Sequence, residues 1–181
     1  MADIKNFEEI ESALDSILSN VDLTNVTSES TGFEELPDGY YLCEVEKAEL
    51  TTSKSSGLPM VAFTLKVTEN GKKENIDDKG NFELVEIKGS HNRKVFKYYI
   101  LSDEKKVKSF VTDMLKFEGE VPGEPVLSKE YFLSSSVLAD SLDVLTGMYI
   151  WVNVSTTERN GQKSTWTNLL SWKRAAALGL E

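Results

Sequence analysis

Val61, Phe63, Leu65 and Val67 alternate with Met60, Ala62, Thr64 and Lys66. A two-residue period puts the first set on one face of an extended strand and the second on the other, so this stretch reads as a strand with one buried face. The same pattern returns near the end of the chain. There Met148, Ile150, Val152 and Val154 alternate with Tyr149, Trp151 and Asn153, and Asn160-Gly161 is a type I′ hairpin signal with KSTWTNLLSW as the returning strand.

Between these anchors the remaining elements follow in order. Pro37-Asp38-Gly39 makes a turn, after which YYLCEVEKAEL reads as a strand to about residue 50, and the loop TTSKSSGLP leads into the alternating segment. Residues 70–82 form a polar excursion. A third strand region takes in ELVEIKG and then RKVFKYYIL, with a break or bulge expected near Gly89. Ser102-Asp103-Glu104 starts a helix with a hydroxyl cap, and Val107, Phe110, Val111, Met114 and Leu115 are its apolar stripe. After a Pro/Gly-rich loop comes a shorter helix over Ser135–Leu145, ended by Gly147. Three strands, a helical insertion at about 102–146 and two more strands predict a mainly β fold. The expected architecture is a five-stranded OB-type Greek-key barrel with its helix between strands three and four.

The first part of the chain has a different period. Ile4, Phe7, Ile10, Leu14, Ile17 and Leu18 recur at helical spacing, predicting an amphipathic helix over about residues 4–19 with Asp3 as its N-cap. A Ser/Thr/Asn-rich tether follows, so the chain divides into residues 1–31 and a barrel domain over 32–181. The apolar stripe has two open destinations: its own domain, or a second subunit or another protein. Of the formal net charge of −10, residues 1–35 carry −8, nine acids against Lys5, so the rest is nearly neutral.

Little here would support catalysis, and the expectation is a non-enzyme without cofactor or metal. His91 is the one histidine and Cys43 the one cysteine, too few for a zinc site, and no phosphate-binding or nucleophile-elbow motif occurs. Asp77, Asp78, Glu83 and Glu86 lie among Lys72, Lys73 and Lys79 and read as a solvated loop. Cys43 shares a face with Val45 and reads as a core thiol. A lone cysteine fits a reducing compartment, hence the cytoplasm. The acidic opening MADIKNFEEIES is unlike a secretory signal, and no apolar run is long enough for a membrane span.

Against the acidic background, Lys88 to Lys108 holds seven cations and two acids, a local +5. If Phe96, Tyr98 and Ile100 face the interior, Arg93, Lys97 and Tyr99 point outward with Lys94 beside them. Cations interleaved with a ring suit single-stranded nucleic acid, since cations follow phosphates and a ring stacks an unpaired base. Lys66 extends the stripe, and Tyr149 and Trp151 face outward by their alternation. Lys54 in the first loop and Arg159 and Lys163 at the last hairpin occupy the two loops that frame such a barrel's binding face. The ordinary alternative is that lysines solvate the strand and the rings lie under a helix or loop.

LPDGYYLCEVEKAELTTSKSSGLPMVAFTLKV resembles the opening of a group of phage-encoded single-stranded DNA-binding proteins, in which a Gly-Tyr pair starts strand one and a Ser/Lys/Gly loop leads into an alternating strand. GMYIWVNVSTTERNGQKSTWTNLLSW resembles that group's last hairpin, and together the two cover about a third of the chain. The resemblance implies a factor of phage replication or recombination that protects single-stranded DNA, or RNA, in the host cytoplasm. Many such proteins end in an acidic tail; this chain ends AAALGLE, and its acidic N-terminal helix is the candidate substitute. Two other readings compete: an acidic protein-interaction module, such as a phage-encoded inhibitor of a host enzyme, and a structural component.

Overall fold

A computed structural model describes residues 7–20 and 36–180. Asp3 and most of the tether lie outside them. The chain divides into two units, Met1–Glu35 and Leu36–Glu181. In the first, helix α1 spans Phe7–Ser19, within the range its periodicity predicts.

The second unit is mainly β. Its strands are β1 (Gly39–Thr52), β2 (Pro59–Val67), β3 (Gly71–Ile76), β4 (Phe82–Ile87), β5 (Lys94–Ile100), β6 (Tyr149–Arg159) and β7 (Gln162–Leu170). Helices α2 (Glu104–Met114) and α3 (Ser135–Leu145) lie between β5 and β6, and α4 (Trp172–Ala177) follows β7. All strand pairs are antiparallel.

β1 organises the sheet. Residues 39–44 pair with β6 along one edge, while the other edge pairs with β2 over residues 43–52 and with β3 at Tyr40. Glu46 is an extra residue, since Val45 pairs with Leu65 and Lys47 with Thr64. This bulge reverses the phase of the strand, so Tyr41, Cys43 and Val45 are buried before it and Ala48 after it. Continuous alternation would have buried Lys47.

The expected five-stranded closed barrel is not what forms. The sheet has seven strands and is open, because the path β4-β3-β1-β2-β5 and the branch β1-β6-β7 are not joined by a ladder between β5 and β7. Two of the seven strands, β3 and β4, come from the polar excursion and the start of the expected third strand. Gly89, with φ of 77°, makes the turn that separates β4 from β5. The β6–β7 hairpin turns as expected, with Asn160 at φ 52° and Gly161 at φ 76°.

One face of the sheet is covered by α2 and α3. Phe63, Leu65, Tyr99, Phe110, Met114, Phe117, Leu142, Leu145 and Ile150 are buried there. α2 is capped by the carboxylate of Asp103, which accepts from the Lys106 amide at 3.0 Å, in place of the expected hydroxyl. The opposite face is partly covered by α4, which buries Trp151 with Ala175 and Leu180 against Leu42, Leu84 and Leu170. For Trp151 this is the ordinary alternative to an open ring, a cover by a helix, although no helix was expected after the last strand.

Candidate nucleic-acid interface

The two possible phases of β5 differ in what they bury. The more apolar set, Phe96, Tyr98 and Ile100, would be expected inside. Instead Val95 and Tyr99 are buried, and Phe96 and Tyr98 are 52% and 56% exposed. α2 explains the inversion. Its Asp113 accepts the Tyr99 hydroxyl at 2.8 Å, and Phe63 and Phe110 meet the Tyr99 ring edge-on at 5.9 and 5.1 Å between centroids. Lys97 also points inward, where its Nζ donates to the Thr167 carbonyl at 2.6 Å and lies 5.2 Å from the Tyr99 ring centre. Burial lowers the Lys97 pKa, with Asp113 opposing the shift, and burial raises that of Tyr99. Each polar tip has a partner, so the less apolar phase is the stable one.

This corrects the sequence reading at three positions. Tyr99 and Trp151 are buried and offer no ring face, and Lys97 is half-buried with its ammonium turned away from the outer face. Lys66 and Tyr149 do face outward, and Tyr149 is 48% exposed. Lys94 is exposed and pairs with Glu46 at 2.8 Å. Arg93 is partly exposed; its carbonyl accepts from the Val67 amide. Lys54 is exposed in the β1–β2 loop, and Arg159 and Lys163 are exposed beside the turn of the last hairpin. Arg159 pairs with Gln162 and Lys163 with Glu158, which puts the two cations on opposite faces of that hairpin.

The register sets the outer face in rows. Tyr149 on β6, Glu44 on β1, Lys66 on β2 and Lys94 on β5 stand side by side. The next row along is Lys47, Thr64 and Phe96, and the one after is Glu49, Ala62 and Tyr98. Thr64 and Ala62 are too small to cover the rings beside them. Two adjacent open rings therefore sit at one margin of the sheet, with two lysines at their end. The acids among and beside these rows, Glu44, Glu46 and Glu49, belong to β1, and the same face carries Glu74 on β3 and Glu86 on β4 farther from the rings. Beside Tyr149 lies a shallow apolar depression of about 500 Å³, lined also by Met148, Pro122 and Trp172.

Of the remaining acidic candidates, Asp77, Glu83 and Glu86 accept hydrogen bonds from neighbouring residues, and Asp78 is exposed. Asp77 accepts from the Asn81 side-chain amide and from the backbone amides of Asn81 and Lys79 in the β3–β4 turn, which together hold its carboxyl below its usual pKa. Glu83 and Glu86 accept from Asn75 and Asn70. Among the described residues no group of three or more His, Cys, Asp or Glu is placed to hold a metal ion. Cys43 is fully buried, and burial pushes its thiol up to about 12, whereas His91 is exposed. No described helix is long and apolar enough to cross a membrane.

Residues 19–87 match a family described as a protein of unknown function, DUF669. The match is less than half of the chain; it takes in β1 to β4 and stops before β5 and its two rings. No curated protein matches the chain.

Proposed function

We propose that the chain binds single-stranded nucleic acid, with little regard to sequence and without catalysis, on the outer face of β2 and β5. One observation carries this reading: Phe96 and Tyr98 are exposed side by side on one strand, next to Lys66 and Lys94. Exposing two aromatic rings forgoes their burial, and stacking on unpaired bases is a use that fits both rings and neighbouring cations. A duplex keeps its base faces covered, so the same surface favours single strands.

The architecture supports an OB-type reading in an opened form. β1 serves both halves of the sheet across a bulge, the helices fall between β5 and β6, and β3–β4 is an inserted hairpin. In that fold the outer face of the second and third strands and two loops bind oligonucleotides, and here the corresponding strands are β2 and β5. Lys54 lies in one of the corresponding loops and Arg159 beside the other. The resemblance to phage single-stranded DNA-binding proteins adds a role in replication or recombination.

The test is a fluorescence titration with labelled oligo-dT and with a duplex of equal length, over a range of salt. With about 3 phosphates neutralised, log K should fall against log salt with a slope of about −2, and the duplex should bind more weakly. Absence of oligo-dT binding at low salt would refute the proposal. Binding that ignores salt would remove the lysines from it.

A further inference from the structure

β5 is antiparallel to β2, β2 to β1, β1 to β6 and β6 to β7, so β5 and β7 run in the same direction. They face each other across a seam without a backbone ladder. Side chains span it instead. Lys97 Nζ donates to the Thr167 carbonyl at 2.6 Å. Lys116 Nζ, held by Asp113 at 2.6 Å, donates to the Leu169 carbonyl at 2.9 Å. Asp113 also accepts from Tyr99, so Lys97 reaches Thr167 directly and Tyr99 is linked to Leu169 through Asp113 and Lys116, the order expected of parallel strands in step. Phe96 is then roughly level with Trp166, and by alternation both belong to the outer side.

Backbone-paired strands lie about 4.8 Å apart. A gap crossed by a lysine side chain is wider, and the two lysines hold it at a set width while satisfying edge carbonyls that would otherwise invite another strand. Beyond the gap Trp166 is 56% exposed. Its indole Nε1 donates to the Thr157 hydroxyl at 3.0 Å, which ties the ring down on the hairpin. With that donor engaged, the open part of the ring is suited to stacking.

We propose that a bound single strand crosses this seam, stacking on Phe96 and Tyr98 on one side and on Trp166 on the other. Lys97 and Lys116 are positioning residues that fix the distance between the two sides. The inference rests on the Phe96–Tyr98 reading above and adds a second half to the site.

Oligo-length dependence separates the two. An oligo-dT of about 4 nucleotides is filled by the first side alone, and one of about 16 spans both. Trp166→Ala should weaken the long oligonucleotide by about 5- to 150-fold and the short one by less than about twofold, with Trp166→Phe recovering much of the loss. Lys97→Met should narrow the long-to-short affinity ratio, and Lys97→Arg should restore it. Unchanged long-oligonucleotide affinity in Trp166→Ala would overturn the proposal, as would equal weakening of both lengths by Lys97→Met. Because Trp166 is exposed, its variant decides the matter even if Lys97→Met fails to fold. If Phe96→Ala and Tyr98→Ala leave the short oligonucleotide unaffected, the underlying reading fails instead.

Discussion

Ser90 is 1% exposed, and its hydroxyl does two things at once. It donates to the Ile87 carbonyl at 2.7 Å and accepts the Gly71 amide at 2.8 Å, locking the start of β3 to the end of β4. Ser90→Ala leaves the buried Gly71 amide without its acceptor and should cost about 1–3 kcal/mol in urea unfolding. A loss below about 0.5 kcal/mol would show that the hydroxyl is not needed there. Nothing in the polar run KGSHNRK marked this serine for burial, because burial here depends on a hairpin that the sequence pattern did not reveal. Cys43 was legible, since it shares a face with Val45 and both are buried. Its thiol gives a pH prediction. The folded pKa is pushed up to about 12, from an unfolded value of 9.0. Stability from this group is therefore full below about pH 9 and is lost as pH rises toward 12, because the unfolded chain releases the proton first. Tyr41, also pushed up to about 12, adds to the same trend from about pH 10. Between about pH 8 and 10 the thermal midpoint should fall, and Cys43→Ala should flatten that fall. Equal slopes in both proteins would contradict the assignment.

At the scale of elements, local turn chemistry and burial on one face were readable, and covers supplied from elsewhere in the chain were not. Asn160-Gly161 turns the last hairpin with both residues at positive φ. Gly161→Ala should therefore destabilise the protein by about 1–2 kcal/mol, since a Cβ disfavours the left-handed region; chemical denaturation would measure it, and no change would mean that the turn relaxes freely. β3 and β4 escaped recognition as a hairpin because most of their side chains are exposed and their order comes from backbone pairing. β5 was recognised as a strand but assigned the wrong phase. The side with Phe96, Tyr98 and Ile100 is the more apolar, but the choice was made by Asp113 and Phe110, on a helix that follows in sequence. Trp151 was correctly placed opposite Ile150 and Val152, yet α4 covers it.

At the scale of the whole molecule, the formal charge of −10 opposes a nucleic-acid role only if charge is spread evenly, and the sequence places −8 of it in residues 1–35. The local +5 between Lys88 and Lys108 falls on and around β5, the strand on which the proposal rests. Its one named ring, Tyr99, was expected on the wrong side of the strand, because facing depends on a partner helix that no two-residue period contains. The account now rests on Phe96 and Tyr98 as the exposed pair and Tyr99 as a buried one. The most direct test is therefore a comparison of oligo-dT affinities at one fixed low salt for the parent protein, Phe96→Ala and Tyr98→Ala, with thermal midpoints alongside. The account predicts a loss of about 5- to 150-fold in affinity for each variant, with midpoints close to that of the parent. Parent-like affinity in both variants would contradict it.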